Sequence, residues 1–226
     1  MVFKDIFFPK ICLSCGFLGS YLCLSCQRKL IKVSHDTCFY CRRRSFTGLT
    51  HPGCKRRLGV EGFLSVFHYN DVLKRSIKNI KYRLVKEALF ELLTLIPPSF
   101  ISKLAFFKND KLYLQPIPLH NRREKERGFN QAELIAQFLS QYLPFPLIDG
   151  LIRTKDTASQ SKLDARKERL ANIRGAFVSR ESAKVGGRQI ILIDDVVTSG
   201  ATVSQAAKVL KRSGATEVYV FTLAKG

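Results

Sequence analysis

The chain has 226 residues, room for one mid-sized domain and a small module. Lys and Arg number 38 against 18 Asp and Glu, and this balance of +20 favours a polyanionic partner: nucleic acid, a phosphorylated small molecule or an acidic membrane surface. A hydrophobic content of 46%, with 17 Phe, excludes a disordered basic tail. The N-terminal string MVFKDIFFPKIC has only short apolar runs broken by Lys4, Asp5 and Lys10, so no secretory signal is expected. The longest candidate for a membrane span, Leu89 to Phe107, is interrupted by Glu91, Pro97, Pro98 and Lys103 and reads as a helix, a turn and a second segment. A soluble, cytoplasmic protein is the expectation.

All seven cysteines fall between Cys12 and Cys54, in a stretch where the first 59 residues carry 11 Lys and Arg against Asp5 and Asp36. The composition turns ordinary near Gly59 to Gly62, which divides the chain into residues 1–59 and residues 60–226. An odd cysteine count argues against a secreted disulfide framework. The cysteines instead form three C-x-x-C pairs, Cys12/Cys15, Cys23/Cys26 and Cys38/Cys41, and His51 with Cys54 makes a fourth two-ligand knuckle. Two residues between ligands let both side chains reach one ion from a tight turn, and a tetrahedral zinc site needs two such knuckles. Two structural zinc ions are therefore expected, one held by Cys12, Cys15, Cys23 and Cys26, the other by Cys38, Cys41, His51 and Cys54. The short separations favour this sequential pairing, although spacing alone also admits an interleaved one.

Beyond residue 60 strands and helices alternate. Phe63 to Tyr69 reads as a strand, and Leu73, Ile77, Ile80 and Leu84 recur at helical spacing after it. Leu112 to Ile117 is a short strand, followed by a charged loop and a helix from Gln131 to Leu143. Gln189 to Ile193 is a fully apolar strand running into Asp194 and Asp195; a TSGAT loop, a helix stopped by Gly214 and a last strand, Glu217 to Leu223, follow. The pattern predicts an α/β fold, a mostly parallel sheet flanked by helices.

The most specific string is IILIDDVVTSGAT, residues 190 to 202. A buried strand delivers two carboxylates at its C-terminal end, where open parallel sheets bind ligands. The amides and hydroxyls around Thr198, Ser199, Gly200, Ala201 and Thr202, together with the helix N-terminus, suit an anion, and the two acids can accept hydrogen bonds from vicinal hydroxyls such as those of a ribose. The loop lacks the lysine of a Walker A motif. The string resembles the phosphoribosyl diphosphate (PRPP) motif of type I phosphoribosyltransferases. That resemblance implies that Asp194 and Asp195 hold the ribose hydroxyls, that Thr198 to Thr202 hold the 5-phosphate, and that magnesium accompanies the diphosphate.

Two further segments, residues 114 to 136 and 151 to 177, resemble the ComF family, which joins an N-terminal zinc module to a domain of the type I phosphoribosyltransferase fold. The fourth C-x-x-C of many of its members is here His51-x-x-Cys54. The resemblance implies that Arg127 contacts the diphosphate, with Arg122 and Arg123 behind it, and that Thr154 to Asn172 correspond to a mobile loop over the site. It also implies handling of incoming single-stranded DNA during natural transformation, alongside competence and DNA-processing proteins. Basic clusters suited to single strands are Arg42, Arg43 and Arg44, with Phe39, Tyr40 and Phe46 among them, Lys55 to Arg57, and Lys74, Lys78 and Lys81 on one helical face. The competing expectations are an active phosphoribosyltransferase acting on a nitrogen acceptor, for which no base-recognition segment is visible, and a regulatory protein that senses PRPP.

Overall fold

The computed structural model describes residues 9–83, 85–105, 111–157 and 171–226. In chain order they form α1 (Leu24–Arg28), β1 (Gly62–His68), α2 (Asp71–Arg83), α3 (Lys86–Leu93), α4 (Pro98–Ala105), β2 (Leu112–Pro116), α5 (Asn121–Arg127) and α6 (Gln131–Ser140). Then come β3 (Leu151–Arg153), β4 (Phe177–Ser179), β5 (Gln189–Val197), α7 (Ala201–Arg212) and β6 (Glu217–Lys225). Among the described residues no helix is long and apolar enough to cross a membrane. Within the Leu89 to Phe107 stretch, residues 89–105 are the end of α3, a turn and α4, which opens on Pro98 at a position where a missing N–H costs nothing, and residues 106–107 lie outside the described residues.

Four parallel strands run in the order β1-β6-β5-β2. β5 is central and buried on both faces, so its run of branched side chains divides by the two-residue period of a strand. Ile191 and Ile193 pack with α2, α3 and α6 through Leu73, Ile77, Leu89, Leu92, Ile135 and Leu139. Ile190 and Leu192 pack on the other face with α7, through Val203, Ala206, Ala207 and Leu210, and with the antiparallel β3–β4 pair. β5 runs past the two acids to Val197 because β6, longer than its sequence suggests, offers Thr222, Ala224 and Lys225 as partners.

The segment expected as a charged loop after Pro118 contains α5. Its sequence NRREKER shows no apolar stripe, but the His120 side chain accepts from the Arg122 N–H, and Gly128 closes the helix at φ 64°. Asn130 caps α6 by accepting from the Ala132 N–H at 3.0 Å, and its amide donates to the Ile117 carbonyl at 3.0 Å. α5 and α6 are thereby tied to the end of β2.

The cysteine-bearing segment packs against the sheet and its helices. Cys12, Leu13, Leu22, Cys23 and Cys26 join the core that covers α2 and α3. Glu91 of α3 accepts from the Tyr21 and Leu22 N–H groups at 3.1 and 2.8 Å, and Asn79 of α2 donates to the Leu13 carbonyl at 2.6 Å. Phe39 and Val60 join the core of the opposite face.

Candidate functional site

At the C-terminal edge of the sheet, β5 continues into α7 on one face while β2 continues into α5 and α6 on the other. A crevice opens where such connections diverge. It is a cleft of about 380 Å3 with Asp194, Asp195, Thr198 and Thr202 on its floor. Its walls are cationic: Lys74, Lys78 and Lys81 come from α2, Arg123 and Arg127 from α5, and Arg153 from β3.

Each acid has a local partner. Asp194 accepts from the Asp195 N–H at 2.9 Å, and Lys81 Nζ lies 2.5 Å from Asp195 Oδ2. Burial first, and then the neighbouring Asp195 charge, push the Asp194 carboxyl up to about 7, although Lys81 opposes the shift. Two carboxylates in one desolvated corner repel, and hydroxyl donors from a sugar would relieve both.

Beyond the acids, Thr198 and Thr202 face the cleft, while Ser199 Oγ accepts from the Ala201 N–H at 3.4 Å. Gly200 has φ 75°, and a Cβ there would lie 2.7 Å from the Phe39 ring, so this turn requires glycine twice over. α7 then presents its first N–H groups to the same corner, an arrangement suited to a phosphate.

The opposite wall holds donors without acceptors. Arg153 is largely buried and burial draws its guanidinium down to about 10; Nη2 donates to Thr157 Oγ1 at 2.5 Å, whereas Nε has no hydrogen-bond partner among the described residues. Gln131 Nε2 is buried and likewise unpartnered. Its carbonyl accepts from Arg127 at 3.4 Å. Burial also lowers the Arg127 guanidinium from its ordinary value. Orphaned buried donors are costly, and an anion in the cleft would satisfy them. Arg123 reaches Asp156 at 3.0 Å and donates to the Thr157 carbonyl. Arg122 is turned outward onto Glu126 and Asp156. Residues 158–170 of the expected Thr154 to Asn172 loop lie outside the described residues.

The metal-ligand residues gather into two sets, Cys12, Cys15, Cys23 and Cys26, and Cys38, Cys41, His51 and Cys54, with the ligand atoms of each set within 4.8 Å of one another. This is the sequential pairing. Cys15 and Cys23 Sγ are 3.6 Å apart, close to the ~3.7 Å between sulfurs around tetrahedral zinc. His51 Nε2 donates to the Arg44 carbonyl at 2.9 Å, which fixes the ring with Nδ1 3.3 Å from Cys41 Sγ, in position to ligate a shared ion. The Arg43 backbone N–H draws the Cys41 thiol down to about 6, so a thiolate is favoured before any metal arrives. Cys26 is pushed up to about 12, by burial and then by neighbouring sulfur groups, a crowding that a dication removes. Both sets can hold zinc.

The basic clusters are divided differently from their sequence pattern. Lys74, Lys78 and Lys81 line the cleft rather than a separate outer face. Arg42 donates to the Thr198 carbonyl at 2.9 Å. Phe39 is buried, and Tyr40 is half-buried, its hydroxyl accepting from the Val60 N–H at 2.8 Å; both are packing residues, not stacking platforms. Arg43 and Arg44 are exposed, with Phe46 beside them at 77% exposure. Tyr82, 63% exposed at the cleft mouth, is an aromatic that sequence reading passed over.

The family model for the phosphoribosyl transferase domain matches residues 126–226, the part that carries Arg127, the acid pair and the phosphate loop. Competence protein ComFC of Bacillus subtilis (strain 168) is 34% identical over 211 residues, which cover 89% of this chain and 83% of that protein. The chain belongs to the ComF family. Among its other relatives, competence protein F of Haemophilus influenzae is 37% identical over 112 residues, covering 49% of this chain and 48% of that protein. DNA utilization protein YhgH of Escherichia coli (strain K12) is 42% identical over 110 residues, covering 48% and 47% respectively. The phosphoribosyltransferase fold of this ComF-family chain thus accompanies two cysteine-rich clusters. Besides Tyr82, Arg153 and Gln131 are cleft residues that sequence reasoning missed; the signal for these two was position within segments already tied to the ComF family.

Proposed function

We propose that this ComF-family protein binds PRPP in the cleft and single-stranded DNA along the cleft's cationic rim, in the service of DNA uptake. The carrying observation is the pairing of Asp194 and Asp195 with a cationic wall that contains two orphaned buried donors, Arg153 Nε and Gln131 Nε2. The acids accept the ribose 2- and 3-hydroxyls, the Thr198–Thr202 turn takes the 5-phosphate, and Arg127 and Arg153 face the diphosphate. Magnesium carried with PRPP supplies partial neutralisation of that diphosphate. Polymeric DNA has no free vicinal diol, so the acid pair rejects it from the floor, while Lys74, Lys78 and Tyr82 at the mouth offer phosphate and stacking contacts. Arg43, Arg44 and Phe46 extend this surface. In this reading residues 1–59 form a module carrying two structural zinc ions and residues 60–226 the PRPP-binding domain.

A second reading, transfer of ribose 5-phosphate from PRPP to a nitrogen acceptor, is favoured by the apolar wall of Tyr69, Ile77 and Ile117 beside the acids, which suits a planar base. Catalysis would then rest on positioning and on exclusion of water. Phosphorus NMR of PRPP and magnesium with the protein, with and without candidate bases, separates the two readings. Binding with PRPP intact supports the first, base-dependent diphosphate release supports the second, and neither binding nor release contradicts both.

A further inference from the structure

The second metal-ligand cluster lies directly behind the phosphate loop. Phe39 and Arg42 belong to its first knuckle, Cys38-x-x-Cys41, and both reach across to the turn after β5. The Phe39 ring is packed edge-on against Phe63 of β1 with centroids 5.7 Å apart, and its tip fills the space that a side chain at Gly200 would need. The Arg42 guanidinium lies 5.8 Å from the Phe39 and Phe63 centroids and donates to the Thr198 carbonyl at 2.9 Å.

Arg42 is also strained. The knuckle turn, closed by the Arg42 N–H to the Cys38 carbonyl at 3.0 Å, needs a left-handed residue after its second cysteine. The equivalent turn at Cys12 uses Gly16 at φ 85°, closed by the Gly16 N–H to the Cys12 carbonyl at 2.9 Å. Here an arginine holds φ 63°. A non-glycine residue in that region is disfavoured, and its presence points to a task for the side chain.

We propose that the Cys38/Cys41/His51/Cys54 metal site sets the shape of the phosphate loop through Phe39 and Arg42, so that ligand binding in the cleft depends on metal held outside it. Metal fixes the knuckle, the knuckle fixes the direction of the Arg42 and Phe39 side chains, and these fix Thr198 and Gly200. Both are positioning residues: neither touches the ligand in this account. The proposal rests on the PRPP reading for its affinity arm, and on the loop geometry alone for its exchange arm.

Arg42→Gly discriminates this from simple structural support, because it removes the guanidinium while relieving the strain. The variant is expected to keep two zinc ions and a melting temperature no lower than the wild type. Amide exchange at residues 198–202 should nevertheless rise, and PRPP affinity should fall about tenfold, as for loss of a charged hydrogen bond. His51→Ala should lose one zinc ion and show the same two effects, and combining it with Arg42→Gly should add little. Unchanged exchange in the Arg42→Gly protein, with zinc retained, overturns the proposal even if His51→Ala fails to fold. A wild type that binds no PRPP would contradict the proposed function, while the exchange measurement still judges the clamp.

Discussion

Asp194 carries a charge that the ligand-free fold opposes. Its carboxyl sits at about 7 in the folded chain against an ordinary value near 4, so the folded state holds its proton longer than the unfolded one. The associated stability is fully present below about 4 and is lost as pH rises through about 7. The ligand-free protein should therefore lose melting temperature progressively from about pH 4 to about pH 7 and level off above that, and Asp194→Asn should flatten that slope. At pH 8 the variant should gain ~1–3 kcal/mol, roughly 2–10 °C, while binding PRPP more weakly. A calorimetric pH series on both proteins reads this directly, and an Asn variant melting below the wild type at pH 8 would remove the argument for a buried, repelling acid pair. Arg153 follows the same logic with the opposite sign of charge. Arg153→Met removes a desolvated cation, so ligand-free stability should hold, whereas PRPP affinity should drop about tenfold or more for want of a charge-assisted contact. Isothermal titration decides it, and an unchanged affinity would exclude Arg153 from the site. Both residues show why the sequence disclosed only half of the site. The acid pair announces itself by standing at the end of an apolar run, but Arg153 and Gln131 become informative only when burial leaves one donor of each, Nε and Nε2, without a partner among the described residues. Lys81 shared a helical face with Lys74 and Lys78 in the sequence, yet spacing could not say that the face looks onto Asp195.

Elements with a strong periodic signal were the legible ones. β5 follows from IILI, an unbroken apolar run buried on both faces of the sheet, and α7 from Val203, Ala206, Ala207 and Leu210, which lie on one helical face. α5 has no such set and is marked only by its ends, His120 and Gly128. The β3–β4 pair is three residues a side and owes its existence to long-range pairing, as does the extension of β5 beyond its acids. The turn between β5 and α7 is the element on which the site depends most. Gly200→Ala would force a side chain into left-handed backbone and into the Phe39 ring, at a cost of about 1–3 kcal/mol. Denaturant melts should show this loss together with weaker PRPP binding; a variant as stable as the wild type would mean that the ring and the turn are not in contact.

At the scale of the whole molecule, the balance of +20 is reduced once metals are counted, because seven thiolates and two zinc ions leave about +17. Part of that charge lines the cleft and part lies on the cysteine-bearing segment, whose docking through Glu91 and Asn79 ties it to α3 and to α2, the helix that carries the cleft lysines. Composition favours a polyanionic partner, whereas the proposed split between a small phosphorylated ligand and a longer strand is argued from the positions of the cationic side chains in the fold. Purified protein should contain two zinc ions, and a value at or below one would contradict the double cluster. Single-stranded DNA binding should weaken steeply with salt and exceed duplex binding, with Lys74→Gln and Lys78→Gln reducing the salt slope. Equal affinity for any polyanion would count against the rim as a strand-binding surface. The central claim is that the acid pair and the loop after it form a PRPP site, and titration of PRPP with magnesium into the wild type and the Asp194→Asn/Asp195→Asn protein tests it most directly. Saturable binding by the wild type with at least a tenfold loss in the double variant is the expected result; equal affinity in the two proteins would contradict it.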